Sequence, residues 1–404
     1  MSSGRTALEG IRVLDVTQVM AGPFCAMQLC DMGADVIKVE PPGGDSTRRM
    51  AGASGSDSAG FNAVNRGKRS IVLDLRQAEA RDAFRRLVAR SDILIENYLP
   101  GVMNRFGLGY DTLAAAHSRL IYASISGSGQ TGPGASRGGF DLVAQGESGL
   151  MSVTGEPGRP PIKMGVPVTD LGAALFALAA ILAALHYRDR TGRGQHIDTS
   201  LLEAGIALSV WEATEYFSEG AIPTPLGSAH RMLAPYQAIR CADGYITIGA
   251  GTNRLFQRLC DALGHPEWTT RPEFADDTRR VRNRAELIAG IEALTVGLPC
   301  GEWLARFTAA GVPCGRINNY ADAFDDPQVR ARSMVVDVTH PTLGPLRTLG
   351  SPIKMSETPP RVDRRAPLLG EHTNEILLEA GCSAAEIAAL AAAHRSPAPS
   401  RNGS

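Results

Sequence analysis

The chain has 404 residues, with 41 Lys and Arg against 42 Asp and Glu, a formal net charge of −1. Hydrophobic residues at 44% and charged residues at 21% exclude wholesale disorder and allow two or three domain-sized units. The balanced charge excludes a general nucleic-acid or polyanion binder, but not a local pocket for one phosphorylated ligand.

Seven cysteines, an odd number with no C-x-x-C pair, argue against a disulfide framework and a structural zinc site. They read as small buried hydrophobes. Met1 to Arg5 carries no apolar signal core. The longest apolar stretch, Leu171 to Leu185, is shorter than the roughly 18 residues of a spanning helix and reads as a buried one. A cytoplasmic protein with no membrane partner is the expectation.

The first 130 or so residues alternate strand and helix signals. Ile11 to Val16 predicts a strand, Gly22-Pro23 opens a helix that Gly33 ends, and Asp35 to Glu40 predicts a second strand. The stretch Pro41 to Gly60, rich in Gly, Ser and Asp, reads as a long loop or mobile lid. Strands follow at Ser70–Leu75, Asp92–Glu96 and Leu120–Ser126, with a helix at Ala78–Arg90. This βαβ alternation implies an α/β fold with a largely parallel sheet.

A long helix is predicted from Thr169 to about Arg188, with Thr169 or Asp170 as its cap, and a second over Leu201–Phe217. Ala221 to Gly227 reads as a linker. A hairpin at Ala234–Gly249 turns at Ala242-Asp243-Gly244. Helical patterns at Arg254–Leu263, Arg284–Leu294 and Cys300–Ala310 complete a smaller α+β domain. A short strand at Val335–Val338, a turn at Gly344-Pro345 and a helix near Ala384–Ala393 close the chain. The expected division is a large Rossmann-like domain from 1–225, a small domain from 228–320, a return to the large domain over 321–395, and a disordered tail at 396–404.

Three motifs have to be weighed. Gly127-Ser128-Gly129-Gln130-Thr131-Gly132 spells G-x-G-x-x-G after a strand, but Pro133-Gly134 follows and no helix opens, so a flexible glycine loop outweighs a dinucleotide site. Gly146-Glu147-Ser148-Gly149 is one residue short of a serine-hydrolase elbow, and the eight histidines lack metal-ligand spacing. Asp170 stands at a helix start, where capping is the ordinary role. A carboxylate there is ionised at neutral pH and can act as a nucleophile without a base.

Arg48, Arg49, Lys68, Arg69, Arg105 and Arg137 each read as solvated charge. Together with Asn97-Tyr98 they could cradle a nucleotide, with Tyr98 or Phe106 stacked on its base.

A longer pattern runs through the chain: "LDVTQVMAGPF", "GADVIKVEPPGGDSTR", "NRGKRSIVLDL", "ILIENYLPGVMNRFGLGY", "GFDLVAQGESGLM", "GVPVTDLGAALFALAAILAAL", "RTGRGQHID", "GVPCGRINN", "HPTLG" and "APLLGEHT". In these pieces the chain resembles the class III CoA-transferases, over nearly its whole length. The resemblance implies an interlocked homodimer and acyl-CoA plus a small carboxylic acid as substrates, with no bound cofactor or metal. It implies that Asp170 is the catalytic carboxylate and carries CoA as an aspartyl thioester. It places Val19, Ala21, Lys68, Asn97, Tyr98, Val102, Arg105, Phe106 and Arg137 along the CoA.

The chain departs from the family at three places. Pro41 stands where the oxalate enzyme has an arginine, and Gly227-Ser228-Ala229-His230 replaces that enzyme's glycine run. No histidine lies near Gly139-Phe140-Asp141, where the racemases have one. The subgroup resembled is that of succinyl-CoA:dicarboxylate enzymes, with glutarate or itaconate as acceptor. Arg48, His230 and Arg231 are the candidates for the far carboxylate, and Gly227 and Ser228 for loop contacts. A racemase or isomerase, or a formyl- or carnitine-type transferase, is the alternative.

Overall fold

The computed structural model describes residues 6–50 and 57–395. The expected tail at 396–404 and positions 51–56 of the polar stretch lie outside the described residues. The chain forms two compact units: Met1–Leu150 with Met164–Ala213 and Pro327–Ser404, and Met151–Lys163 with Thr214–Asp326.

In the first unit the elements run β1 (Arg12–Asp15), α1 (Ala21–Asp31), β2 (Asp35–Glu40), α2 (Ala59–Asn65), β3 (Arg69–Val72), α3 (Ala78–Val88), β4 (Ile93–Glu96), α4 (Val102–Arg105), α5 (Tyr110–Ala116), β5 (Ile121–Ser126) and α6 (Asp141–Glu147). A short α7 (Leu150–Val153) leads away. The chain returns as α8 (Val168–Thr191), β6 (His196–Ser200) and α9 (Leu201–Leu208), and the boundary with the second unit falls within α10 (Val210–Glu219). The six strands form one parallel sheet in the order β3-β2-β1-β4-β5-β6. That is the doubly wound order of the Rossmann fold, and its direction reverses between β1 and β4. Each face carries an apolar core. Val13, Ile93 and Ile121 pack with α1 and α8 on one side. Leu14, Leu94 and Ile37 pack with α3 and the C-terminal helices on the other.

The second unit holds β7 (Tyr236–Cys241) and β8 (Gly244–Gly249), then α11 (Asn253–Leu263), α12 (Asp277–Arg282), α13 (Arg284–Thr295), α14 (Cys300–Ala309), β9 (Cys314–Arg316) and α15 (Tyr320–Asp325). Its three strands pair antiparallel around the expected turn at 242–244. Its core gathers Ile239, Phe256, Leu287 and Phe307. The chain then re-enters the first unit through α16 (Pro327–Ala331), the hairpin β10 (Val335–His340) and β11 (Gly344–Leu349), α17 (Thr373–Glu379) and α18 (Ala384–Arg395). Arg69 ties α17 down, bonding Asp35 at 2.7 Å and Glu379 at 2.8 Å. All seven cysteines are free, and only Cys314 is not fully buried.

Several expectations are corrected. The polar stretch is no lid over its described part. Asp45 accepts the Thr47 N–H at 2.9 Å and starts a 3-10 turn at Ser46–Arg49, and Asp45, Thr47 and Arg48 are buried. The helix predicted over Leu201–Phe217 is two helices, α9 and α10. At Ser209 the hydroxyl donates to the Gly205 carbonyl at 3.1 Å, a back-bond that interrupts the ladder. The long helix α8 reaches 24 residues, long and apolar enough by composition to cross a membrane, with half of its apolar window buried in the fold. Gly192 ends it in the left-handed region at φ 74°, as glycine permits. β6, the sixth strand, carries no clear strand signal. Its exposure alternates, and it forms an edge.

Around the C-terminal end of β1 the fold buries a chain of charges. Lys68 Nζ donates to Asp15 Oδ2 at 2.7 Å, to the Pro23 carbonyl at 2.9 Å and to Asn65 Oδ1 at 2.8 Å. Lys38 pairs with Asp45 at 2.9 Å and donates to the Thr17 carbonyl at 3.0 Å. Burial alone would raise the Asp15 carboxyl, yet Lys68 and Lys38 hold it below its ordinary value. Removing one partner of such a pair leaves an uncompensated buried charge. Lys68→Met is therefore expected to cost about 3–5 kcal/mol of unfolding free energy, read by urea denaturation. Unchanged stability with weakened CoA binding would instead make Lys68 a ligand contact.

Candidate active site

A cavity of about 290 Å³ lies at the sheet's reversal point. Its walls come from the segments following β1 (Gln18 to Ala21), β4 (Asn97 to Pro100) and β5 (Ile125 to Gly127). Ligands of doubly wound sheets bind at this place, because the loops on either side of the reversal splay apart.

The first loop is held from beneath and from the side. Asp15 Oδ1 accepts both the Thr17 N–H and its hydroxyl. Asn97 then clamps Gln18, accepting its N–H at 2.9 Å and donating to its carbonyl at 2.7 Å. Burial raises the pKa of the Tyr98 hydroxyl, and the nearby Gln18 side chain acts against it. Val19, next in line, is left at φ 70°, a left-handed conformation costly for a β-branched residue. Gly22 makes the turn fit, since a Cβ there would lie 2.3 Å from Thr17.

Gly127, the first glycine of the G-x-G-x-x-G stretch, serves a purpose unlike that of a phosphate loop. Gly127 and Gly139 press backbone against backbone. A Cβ on Gly139 would stand 2.2 Å from the Gly127 Cα, and both residues line the cavity.

Asp170 projects from the first turn of α8 into the cavity. The expectation that Thr169 or Asp170 caps this helix is wrong. Asp141 of α6 does so from outside, accepting the Thr169 N–H at 3.0 Å and its hydroxyl at 2.8 Å. Its other oxygen takes Gln145 Nε2 at 2.7 Å. The Asp170 carboxylate is thereby relieved of capping, and it has no hydrogen-bond or ion-pair partner among the described residues. Burial first, and then the nearby Asp141 charge, push its pKa up to about 6. The expectation that the helix end keeps it at an ordinary carboxylate value is corrected in size but not in consequence, since it remains mostly ionised at pH 7.

The structure sorts the expected binding residues. Val19, Ala21, Asn97, Tyr98 and Asp170 line one cavity. Lys68 does not. Its three hydrogens are spent on Asp15, Pro23 and Asn65, and its side chain is fully buried. Arg48 is not a free carboxylate partner either. It forks onto Glu40 at 2.7 and 2.8 Å, pairs with Asp57 at 2.6 Å and stacks 3.7 Å over Phe61. Val102, Arg105 and Phe106 sit on or just after α4, outside the cavity wall, with Phe106 packed on the core. Arg137 is exposed and pairs with Glu147.

Gly227, Ser228, His230 and Arg231 belong to the second unit. There Ser228 accepts the Ala238 N–H at 3.1 Å, His230 Nδ1 accepts the Met232 N–H at 3.1 Å, and Arg231 pairs with Glu215 at 3.1 Å. Sequence reasoning missed Gln18, Met20, Phe140 and the capping role of Asp141. Only Asp141 carried a signal, as an acid at a helix start.

The sequence model described as CoA-transferase family III matches residues 8–373. The chain belongs to that family. It is 42% identical to the succinyl-CoA:mesaconate CoA-transferase of Haloarcula marismortui, over 93% of this chain and 96% of that one. It is 40% identical to the succinate–glutarate CoA-transferase of Agrobacterium fabrum, over 94% and 97%. Among solved structures it is similar to a CAIB/BAIF family protein from Brucella suis, at 42% identity and TM-score 0.83, covering 93% of this chain and 99% of that one.

The unpaired carboxylate costs stability. A folded-state pKa raised above the unfolded value favours the neutral acid, so this contribution is present at low pH and lost as pH rises through about 6. Asp170→Asn is expected to stabilise the protein at pH 8 by about 1–2 kcal/mol, and much less at pH 4. Thermal unfolding at both pH values tests this. An equal gain at both would rule out an ionised Asp170 as the cause.

Proposed function

We propose that this family III enzyme moves CoA between succinyl-CoA and a small dicarboxylate, with Asp170 as covalent carrier. The observation that carries the reading is an ionisable carboxylate with no partner, set in a cavity at the sheet's reversal point. The named relatives, which act on succinyl-CoA with mesaconate or glutarate, support the donor and the acceptor class.

The chemistry follows from the carboxylate. An Asp170 oxygen attacks the thioester carbonyl, and CoA leaves as thiolate, giving a mixed anhydride. The thiolate attacks the Asp170 carbonyl and expels the donor acid, which leaves an aspartyl thioester. The acceptor carboxylate attacks that thioester, and the freed thiolate takes the new acyl group and restores Asp170. No base is required, because every nucleophile is already an anion. Water would destroy each intermediate, so the cavity must be closed during turnover. Val19, Ala21, Asn97 and Tyr98 form the CoA wall in this reading. The α1 start beside them has no side-chain cap, so its N–H groups are available to an anion.

A second copy of the chain belongs to the proposal. Phe140, which lines the cavity just before α6, Leu142 on α6, and Leu175 and Phe176 on α8 are 42–73% exposed. They form an apolar face of the kind a homodimer buries.

Mass-resolved exchange tests the assignment. Succinyl-CoA offered with glutarate, itaconate, mesaconate, citramalate, oxalate and carnitine is expected to yield a dicarboxyl-CoA. Asp170→Ala should lose exchange by at least about 10³-fold while still binding CoA. Solvent deuterium appearing at the acyl α-carbon without exchange would assign an isomerase instead.

The pH profile gives a separate check. The kcat/KM of the wild type should fall below about pH 6 as Asp170 takes a proton. Asp141→Asn removes the neighbouring charge and should move that limb to lower pH. An unmoved limb would show that Asp141 does not set it.

A further inference from the structure

Three strands of the sheet end in buried carboxylates, and they are neutralised in different ways. Asp15 on β1 has Lys68 and Lys38, and Glu40 on β2 has Arg48 and Lys38. Glu96 on β4 is 5% exposed, and the groups that act on it are the Ser124 hydroxyl, the Tyr98 N–H and the Asp198 carboxylate. None of these is a cation. Burial, the largest cause, pushes Glu96 up to about 7.

Glu96 faces a second cavity, of about 100 Å³, which shares Leu99 with the first. Glu96 and Ser124 are direct partners across β4 and β5. The Ser124 Oγ lies 3.0 Å from His196 Nε2 on β6. The His196 ring stacks on Tyr110 with centroids 5.1 Å apart and meets the edge of Tyr122 at 5.4 Å. Burial of that inner side lowers its pKa, against the opposing charges of Asp198 and Asp111, so the ring is neutral near pH 7. The residue is otherwise solvent-exposed.

Glu96 also holds the strap that forms the cavity wall. Its Oε2 accepts the Tyr98 N–H at 2.9 Å. Tyr98 and Asn97, which clamps the Gln18 backbone, both line the Asp170 cavity. On the β1 and β2 side the charged groups facing Tyr98 are Lys38 and Asp15, which are already neutralised by ion pairs.

We propose that Glu96 is the positioning residue of the 97–100 strap and that Ser124 and His196 are its proton line to solvent, so that acyl-CoA affinity rises when Glu96 ionises. The proton count is simple. With Glu96 neutral, its O–H donates to Ser124 Oγ, Ser124 donates to His196 Nε2, and the imidazole proton sits on Nδ1. On ionisation the Glu96 proton passes to Ser124 as the Ser124 proton passes to Nε2, and Nδ1 releases one proton to water. Ser124 then donates to the carboxylate. The Tyr98 N–H now meets a charged acceptor, a bond roughly twice as strong as a neutral one. The inference rests on the CoA-transferase reading of the Asp170 cavity.

CoA binding by Asp170→Ala removes the titration of Asp170 from the measurement. Its dissociation constant for CoA is expected to fall about three- to tenfold between pH 6 and 8. In Asp170→Ala/Glu96→Gln most of that fall should vanish, while titration of the ligand's own phosphate is common to both. Infrared difference spectra of Asp170→Ala should show a protonated carboxyl band lost between pH 6 and 8 and absent from Asp170→Ala/Glu96→Gln. Glu96→Asp should restore part of the pH dependence. The same pH dependence in both double and single variants, or no such band, overturns the proposal. If no CoA binds at any pH, the transferase reading fails instead.

Discussion

The Lys68–Asp15 pair is the constraint on which the rest of the site depends. Both groups are fully buried, where an isolated charge could not persist. Together they fix more than each other. Asp15 has one oxygen left for Thr17, and Lys38 takes the Thr17 carbonyl, so the backbone leaving β1 has one available path. That path leads to Gln18, which Asn97 of the neighbouring loop captures by both its backbone groups. The left-handed Val19 is the strain left at the end of this line. A buried ion pair adds little net stability, but here it determines where the cavity wall runs.

Close approach is the second constraint. Gly22 lets the first loop turn tightly, and the segments at Gly127 and Gly139 can meet because neither carries a side chain. The G-x-G-x-x-G pattern gave no sign of this use of Gly127. A phosphate loop and a backbone crossing both demand glycine, and sequence does not distinguish a ligand from a second strand of backbone as the neighbour.

Most of the first unit was legible because its strands are fully buried and its helices short and periodic. Asp35–Glu40 was placed to the residue, and in the second unit Cys300–Ala309 to within one. What stayed hidden depended on tertiary partners. The β6 strand alternates weakly at an edge, and the break at Ser209 rests on one hydroxyl finding a carbonyl. In the site, Asp170 was visible through family likeness and by position. Lys68 and Arg48 were misplaced because a cation that holds up a loop and a cation that binds a ligand look alike in a sequence. Only the geometry shows that every donor of Lys68 is already used.

Five carboxylates around the site fall into two groups, and the division bears on the chemistry. Asp15, Asp45 and Glu40 have cations, so their pKa values stay low and they act as fixed supports. Asp170 and Glu96 have none, and their pKa values rise toward the working range of the protein. A counter-ion on Asp170 would steady it and also blunt it as a nucleophile. Its charge is instead left exposed to an electrophile, and the capping task is moved to Asp141, whose own oxygens are occupied by Thr169 and Gln145. The same Asp141 charge favours the protonated form and raises Asp170 further, which makes the carboxylate more basic. A more basic carboxylate is the better nucleophile once ionised, and that suits the carrier role proposed for Asp170.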